Sequence, residues 1–201
     1  MKLMARKSKK KIELNPEVFI YDLVMDILGS PSQRYLYESL NRNAPGSETR
    51  RLLGAFKVPY VSCLLDRIDD KRYVCICPDI ETARMLYNES PIGTCCATGE
   101  YEYDSYSNVK SFNDGNNEHL MYAGTDIPEL KDVEAVVFVQ SSDKDLAYVQ
   151  ELGKAMSNAD NPKLYFFMFH DSIDDTYRII AQGISPDKTT EVNFPYHILQ
   201  Q

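Results

Sequence analysis

No apolar run in this 201-residue chain approaches the length of a membrane span, and its first residues lack the apolar core of a secretory signal. Both absences point to a soluble, cytoplasmic protein. Positive charge is scarce as well. A formal net charge of −8 at pH 7 makes the body a poor match for the surface of a nucleic acid. Cys63, Cys75, Cys77, Cys95 and Cys96 form an odd set without the spacing of a disulfide scaffold, which fits a reducing compartment. The Asn88-Glu89-Ser90 sequon is then a chance match. The chain has neither an internal repeat nor a low-complexity tract. Its 43% hydrophobic content excludes extensive disorder and supports a folded globular protein.

What the chain does have is clearest between Val133 and Phe169. The runs VEAVVFVQ and KLYFFMF, each about the length of a strand, flank a segment whose apolar residues recur at three- and four-residue spacing. This is the pattern of a β-α-β unit, with strands at Ala135–Val139 and Leu164–Phe169 and a helix at Lys144–Asn158. Parallel strands joined in this way belong to open α/β sheets, whose ligands sit outside the carboxyl ends of the strands. Residues 140 to 151 fall at that edge and carry Ser141, Ser142, Asp143, Asp145 and Glu151, a polar and acidic set suited to a small hydroxylated ligand. The same residue types also cap helices, so both readings stand. On a helical wheel Leu146, Val149, Leu152, Gly153 and Met156 define the buried face. Glu151 falls nearly opposite its centre.

Elsewhere the spacing predicts a basic flexible tail over residues 1–14, a helical N-terminal extension over 15–57 and an α/β domain over 58–201. Asn15 and Pro16 read as the cap and first residue of a helix running to about Leu28. A second helix is expected from Ser32 to Arg42 and a short one from Glu48 to Phe56. Val58–Leu65 and Tyr73–Cys77 have strand composition and read as an antiparallel hairpin. Pro78-Asp79 opens a helix ending near Asn88. From Ser90 to Asn117 the chain lacks a clear period, which marks a lid or binding loop, with an irregular hairpin through Tyr101 and Tyr103 as the alternative. Tyr101, Tyr103 and Tyr106 suit stacking on a base, contact with a protein, or strand packing. A helical turn at Asp126–Lys131, a helix at Asp174–Gly183 and a strand at Val192–Ile198 complete the expectation. The fold class is α/β, with a mainly parallel central sheet flanked by helices.

The segment Asp145-Leu146-Ala147-Tyr148-Val149-Gln150-Glu151-Leu152-Gly153-Lys154-Ala155 resembles the signature of the nucleoside 2-deoxyribosyltransferase superfamily, which includes the deoxynucleoside monophosphate N-glycosidases. The matching positions are Glu151, Leu152, Gly153 and Ala155, with Asp145 upstream and Pro162 before the next strand. The resemblance implies Glu151 as a nucleophile attacking an anomeric carbon and Asp145 as a contact to sugar or base. It implies that Gly153 lets the helix approach the sheet, and that Ser141 and Ser142 donate to hydroxyl or phosphate oxygens. Asp143, Tyr148 and His170 complete the candidate ligand contacts. The activity implied is hydrolysis or transfer at the N-glycosidic bond of a deoxynucleoside or deoxynucleotide, with no cofactor.

Metal is not called for either. Cys75 and Cys77 alternate with Ile76 rather than standing two to four residues apart, and together with Cys95 and Cys96 they read as buried thiols. His119, His170 and His197 show no ligand spacing. Two rival readings remain. One is a non-enzymatic acidic binding protein, such as an adaptor, an inhibitor or immunity protein, or a viral accessory factor, docking on a basic partner. The other is a nucleotide-sensing domain without turnover. Nucleic acid enters only through the cluster Arg6, Lys7, Lys9, Lys10 and Lys11, and oligomeric state is left open.

Overall fold

Seven short strands form one sheet in the computed structural model, which describes residues 14–24, 47–99, 102–170, 172–196 and 199. In chain order the elements are β1 (Glu17–Leu23), α1 (Ser47–Leu65), β2 (Tyr73–Ile76), α2 (Ile80–Glu89), β3 (Thr94–Ala97), α3 (Glu102–Asn113), β4 (His119–Tyr122), β5 (Ala135–Phe138), α4 (Asp145–Leu152), β6 (Lys163–Phe169), α5 (Asp174–Ile184) and β7 (Thr189–Asn193). The strands lie in the order β3-β4-β2-β5-β6-β1-β7, and every pairing is parallel. The central strands β2 and β5 are buried at every position, as a parallel sheet covered on both faces requires.

Two apolar layers result. On one face α1 and α2 cover Cys75, Val137 and Phe167 with Leu53, Val58, Val61, Leu64 and Leu86. On the other, α3, α4 and α5 cover Val74, Val136 and Phe166 with Phe112, Val149, Leu152 and Ala181. Phe138 and Phe166 stack across β5 and β6 with ring centroids 4.7 Å apart, a pairing that adds about 1 kcal/mol to their burial. On the opposite face Phe19 stacks on Tyr165 and Tyr21 on Phe167, which ties β1 to β6.

Several expectations change. Glu17–Leu23 is a strand rather than part of a helix, and it lies inside the sheet between β6 and β7. Its alternation of half-buried and buried positions is the period of a strand, and the aromatic ladder on Tyr165 and Phe167 holds it there. The expected helix at 32–42, the basic tail, Tyr101 and His197 fall outside the described residues. Val58–Leu65 is the second half of α1, not one arm of a hairpin, even though Pro59 lies inside that helix. Tyr73–Ile76 pairs in parallel with β4 and β5 instead.

Within the stretch 90–117 the described residues form β3 and α3. The stretch was hard to read because β3 has four residues and α3 buries little beyond Phe112. Tyr103 and Tyr106 stand exposed on α3. Asp126–Lys131 is irregular, α4 stops at Leu152 with turns continuing to Asn158, and the last strand is Thr189–Asn193. The atoms nearest to a Cβ placed on Gly153 are the Gln150 and Val149 carbonyl oxygens, at 3.3 and 3.5 Å, rather than atoms of the sheet.

Candidate functional site

From β2 the chain crosses by α2 outward to β3, whereas from β5 it crosses by α4 outward in the opposite direction to β6. The crossovers thus diverge between β2 and β5, and a crevice opens at their carboxyl ends, where open α/β sheets bind ligands. It holds a cleft of about 410 Å³ lined by Arg50, Cys77, Gly124, Gln140, Asp145 and Tyr148, among others. Local packing delivers each wall. Gly54 lets α1 lie against the end of β2, since a Cβ there would fall 2.4 Å from Pro78 Cγ, and Arg50, one turn earlier, is thereby brought to the cleft. Asp79 caps α2 by accepting from Thr82 N at 2.9 Å, which fixes where β2 ends.

The floor is built from charges that water does not reach. Lys57 and Asp174 are both fully buried and pair at 2.7 Å. Gln140 bridges them: its Oε1 accepts from Lys57 Nζ at 2.7 Å and its Nε2 donates to Asp174 Oδ1 at 2.6 Å. The Phe169 N–H donates to Asp174 Oδ2 at 2.9 Å, so β5, β6, α1 and α5 meet at one network. Burial pushes the Lys57 ammonium down in pKa, against the pull of Asp174 and, more weakly, Asp145.

Asp145 is the second buried carboxylate, with 2% of its surface exposed. It accepts from Ser142 N at 3.0 Å and Ser142 Oγ at 2.9 Å, and no cation among the described residues lies within ion-pair distance of it. Desolvation outweighs those two hydrogen bonds, the weaker pull of the Ser141 hydroxyl and the Lys57 charge, and its pKa rises to about 7. Ser141 is buried next to it without closing a hydrogen bond of normal geometry. Across the cleft, Arg50 reaches Asp143 at 3.6 Å, yet its buried Nε has no acceptor among the described residues. Tyr148 donates weakly to the Thr125 carbonyl at 3.4 Å, and burial raises its phenol.

The structure brings Ser142, Asp143, Asp145 and Tyr148 to the cleft, with Ser141 behind it. Glu151 is exposed on α4 and does not line the cleft. His170 lies past the end of β6 with Nε2 3.6 Å from Asp22 Oδ1, also outside it. Arg50, Lys57, Gln140 and Asp174 were missed. Lys57 carried no signal, because an isolated lysine between apolar residues reads as solvated. Among the described residues no group of three or more His, Cys, Asp or Glu side chains is placed to hold a metal ion. Cys75 and Cys77 are buried thiols raised by desolvation, and Cys95 is pushed up to about 12 by the same cause. No helix among the described residues is long and apolar enough to cross a membrane.

No protein-family model and no curated protein matches the chain. Solved structures do. The chain is similar to the C-terminal domain of a variant of the S. cerevisiae DEAD-box protein Dbp5 bound to Gle1 and IP6, at 17% identity and TM-score 0.55 over 74% of this chain and 94% of that one. It is similar to S. cerevisiae Dbp5 bound to RNA and ADP BeF3 at 13% identity and TM-score 0.57, over 96% of this chain and 46% of that one. A DEAD box protein from the hyperthermophile Methanococcus jannaschii matches at 13% identity and TM-score 0.52, over 91% of this chain and 43% of that one. The fold is of the Rossmann/RecA-like kind. The chain spans less than half the length of these two larger structures.

These neighbours overturn the likeness to the nucleoside 2-deoxyribosyltransferases. The Glu151 signature is a short helical pattern that any amphipathic crossover helix can carry, whereas the fold match extends over most of the chain. The roles of Glu151 as nucleophile and Asp145 as its partner in glycosidic chemistry rested on that likeness and go with it.

Proposed function

We propose that the chain is a nucleotide-binding domain that recognises its ligand without turning it over, with a phosphate group held at the mouth of the β2/β5 crevice by Arg50. The observation that carries this reading is the buried Arg50 Nε, a donor without an acceptor among the described residues, in a cleft where strand crossovers diverge. A buried guanidinium donor left unpaired is costly, and a phosphate oxygen would satisfy it with a charge-assisted bond. Ser142 and Lys144 line the same cleft, and the ring of Tyr148 offers a face for a base. The fold likeness to Dbp5 bound to RNA and ADP BeF3 supports the same class of ligand.

A role without turnover is the simpler reading of how three nearby carboxylates are placed. Asp174 is held by Lys57, Asp145 by its own turn, and Glu151 faces solvent. The net charge of −8 favours a mononucleotide over a long polyanion as the occupant. Thermal stabilisation by AMP, ADP and a short RNA oligonucleotide, followed by calorimetry, tests the reading. ADP or AMP should raise the unfolding temperature, and Arg50→Ala should weaken binding by about tenfold or more. Failure of every nucleotide to bind would remove the proposal. Release of phosphate above the Arg50→Ala background would replace a sensing role with a hydrolytic one.

A further inference from the structure

We propose that Asp145 is a proton-operated latch on this cleft: ionised, it keeps the Ser142 N–H and hydroxyl for itself and repels an anion, and protonated, it yields both donors to a phosphate or phosphodiester oxygen. Ligand binding then takes up one proton from solvent onto the Asp145 carboxyl. The inference rests on the nucleotide-binding reading and adds the regulation of that site.

The geometry places a carboxylate in the cleft with almost no solvent contact and no ion-pair partner among the described residues. Lys57, the cation whose charge acts on Asp145, already pairs with Asp174 at 2.7 Å and donates to Gln140, so it is not available to neutralise a second anion. An anionic ligand entering the same low-dielectric cleft would meet an uncompensated negative charge. Protonation removes that repulsion and weakens the carboxyl's hold on Ser142, because a neutral carboxyl is the poorer acceptor. The Ser141 hydroxyl lies in the same turn and also acts on the Asp145 carboxylate, without closing a hydrogen bond of normal geometry.

The charged and titratable groups around Asp145 do not change this sign. From α1 they are Arg50, at the cleft mouth, and Lys57. From α5 the group is Asp174, neutralised by Lys57. The β5–α4 turn supplies Asp143 and Lys144, α4 supplies Tyr148 and the outward Glu151, and the end of β2 supplies Cys77. Asp126, after β4, acts on Tyr148. Burial places the Asp145 midpoint at about 7, where physiological pH changes its charge.

Two probes that do not themselves titrate between pH 6 and pH 8 separate the protein's proton from the ligand's: sulfate and a dinucleoside monophosphate. Wild-type affinity for each should fall about tenfold from pH 6 to pH 8. Asp145→Asn should bind equally well at both pH values, near the wild-type level at pH 6. Calorimetry of the wild type in buffers of different ionisation enthalpy should report uptake approaching one proton per ligand at pH 8, which keeps the test independent of whether the variant folds. Wild-type binding that is independent of pH, or an undiminished slope in Asp145→Asn, would overturn the latch and leave nucleotide binding standing. No binding of either probe at any pH would remove both.

Discussion

Asp174 and Asp145 are two carboxylates withdrawn from water at the same end of the sheet, and they are treated in opposite ways. Asp174 receives an ammonium at 2.7 Å, a side-chain amide at 2.6 Å and a backbone N–H at 2.9 Å. Asp145 receives a backbone N–H and a hydroxyl from Ser142, a weaker contact from Ser141, and no ion-pair partner among the described residues. The first arrangement joins four elements and leaves nothing for a ligand to do. The second leaves a charge whose desolvation is not offset, and it does so where the crossovers diverge and a cleft opens. A buried charge that is fully paired therefore reads as architecture here, and the unpaired one as a place where binding can act.

The comparison breaks most visibly if Asp174 proves dispensable. Asp174→Ala leaves Lys57 buried and unpaired, and should lower stability by about 3–5 kcal/mol in urea denaturation. The paired replacement of Lys57→Met with Asp174→Leu should cost much less, since both charges leave together. Equal losses would mean that packing, not charge, governs the site.

Asp145 should respond in the opposite direction. Its unfolded value lies near 3.8 and its folded value near 7, so the folded chain holds more protons between those limits. The stability it contributes is present below about pH 4 and is lost as pH rises through about 7. Asp145→Asn, which is never charged, should consequently stabilise the fold at pH 8 by at most about 4 kcal/mol and far less at pH 5. Unfolding curves at both pH values check this, and a gain of the same size at both would contradict the assignment.

The amino end of the sheet sharpens the contrast further. There Arg72 lies over the Phe112 ring with its Cζ 4.4 Å from the centroid, and donates to the carbonyls of Phe112, Asn117, Lys131 and Asp132. An ammonium cannot reproduce that fork, so Arg72→Lys should destabilise by about 2 kcal/mol while leaving affinity in the cleft unchanged. Smallest of all should be the exposed pair of Lys154 and Glu129, 3.3 Å apart. Replacing either by Ala should shift stability by no more than about 0.5 kcal/mol, which sets the baseline for a solvated ion pair.

The β5-α4-β6 crossover was legible because two continuous apolar runs of strand length flank a helical period, and burial on both faces of a parallel sheet demands such runs. The polar turn after β5 was legible for the same reason, and it does line the cleft. Glu17–Leu23 was misread because Phe19, Ile20 and Leu23 fit a helical stripe, while the partners that make it a strand, Tyr165 and Phe167, lie far along the chain. Val58–Leu65 was misread because strand composition and an internal proline both argued locally against the helix that tertiary packing imposes.

The sequence alone determined that this chain builds a covered parallel sheet and which turn faces its carboxyl edge, since hydrophobic period and turn chemistry are local properties. Only the tertiary structure decided which charges are neutralised, because Lys57, Gln140 and Asp174 meet from three distant segments. Burial is likewise a property of the assembled layers. That is why the unusual carboxylate, Asp145, could be named from its position but not weighed until its solvent had been taken away.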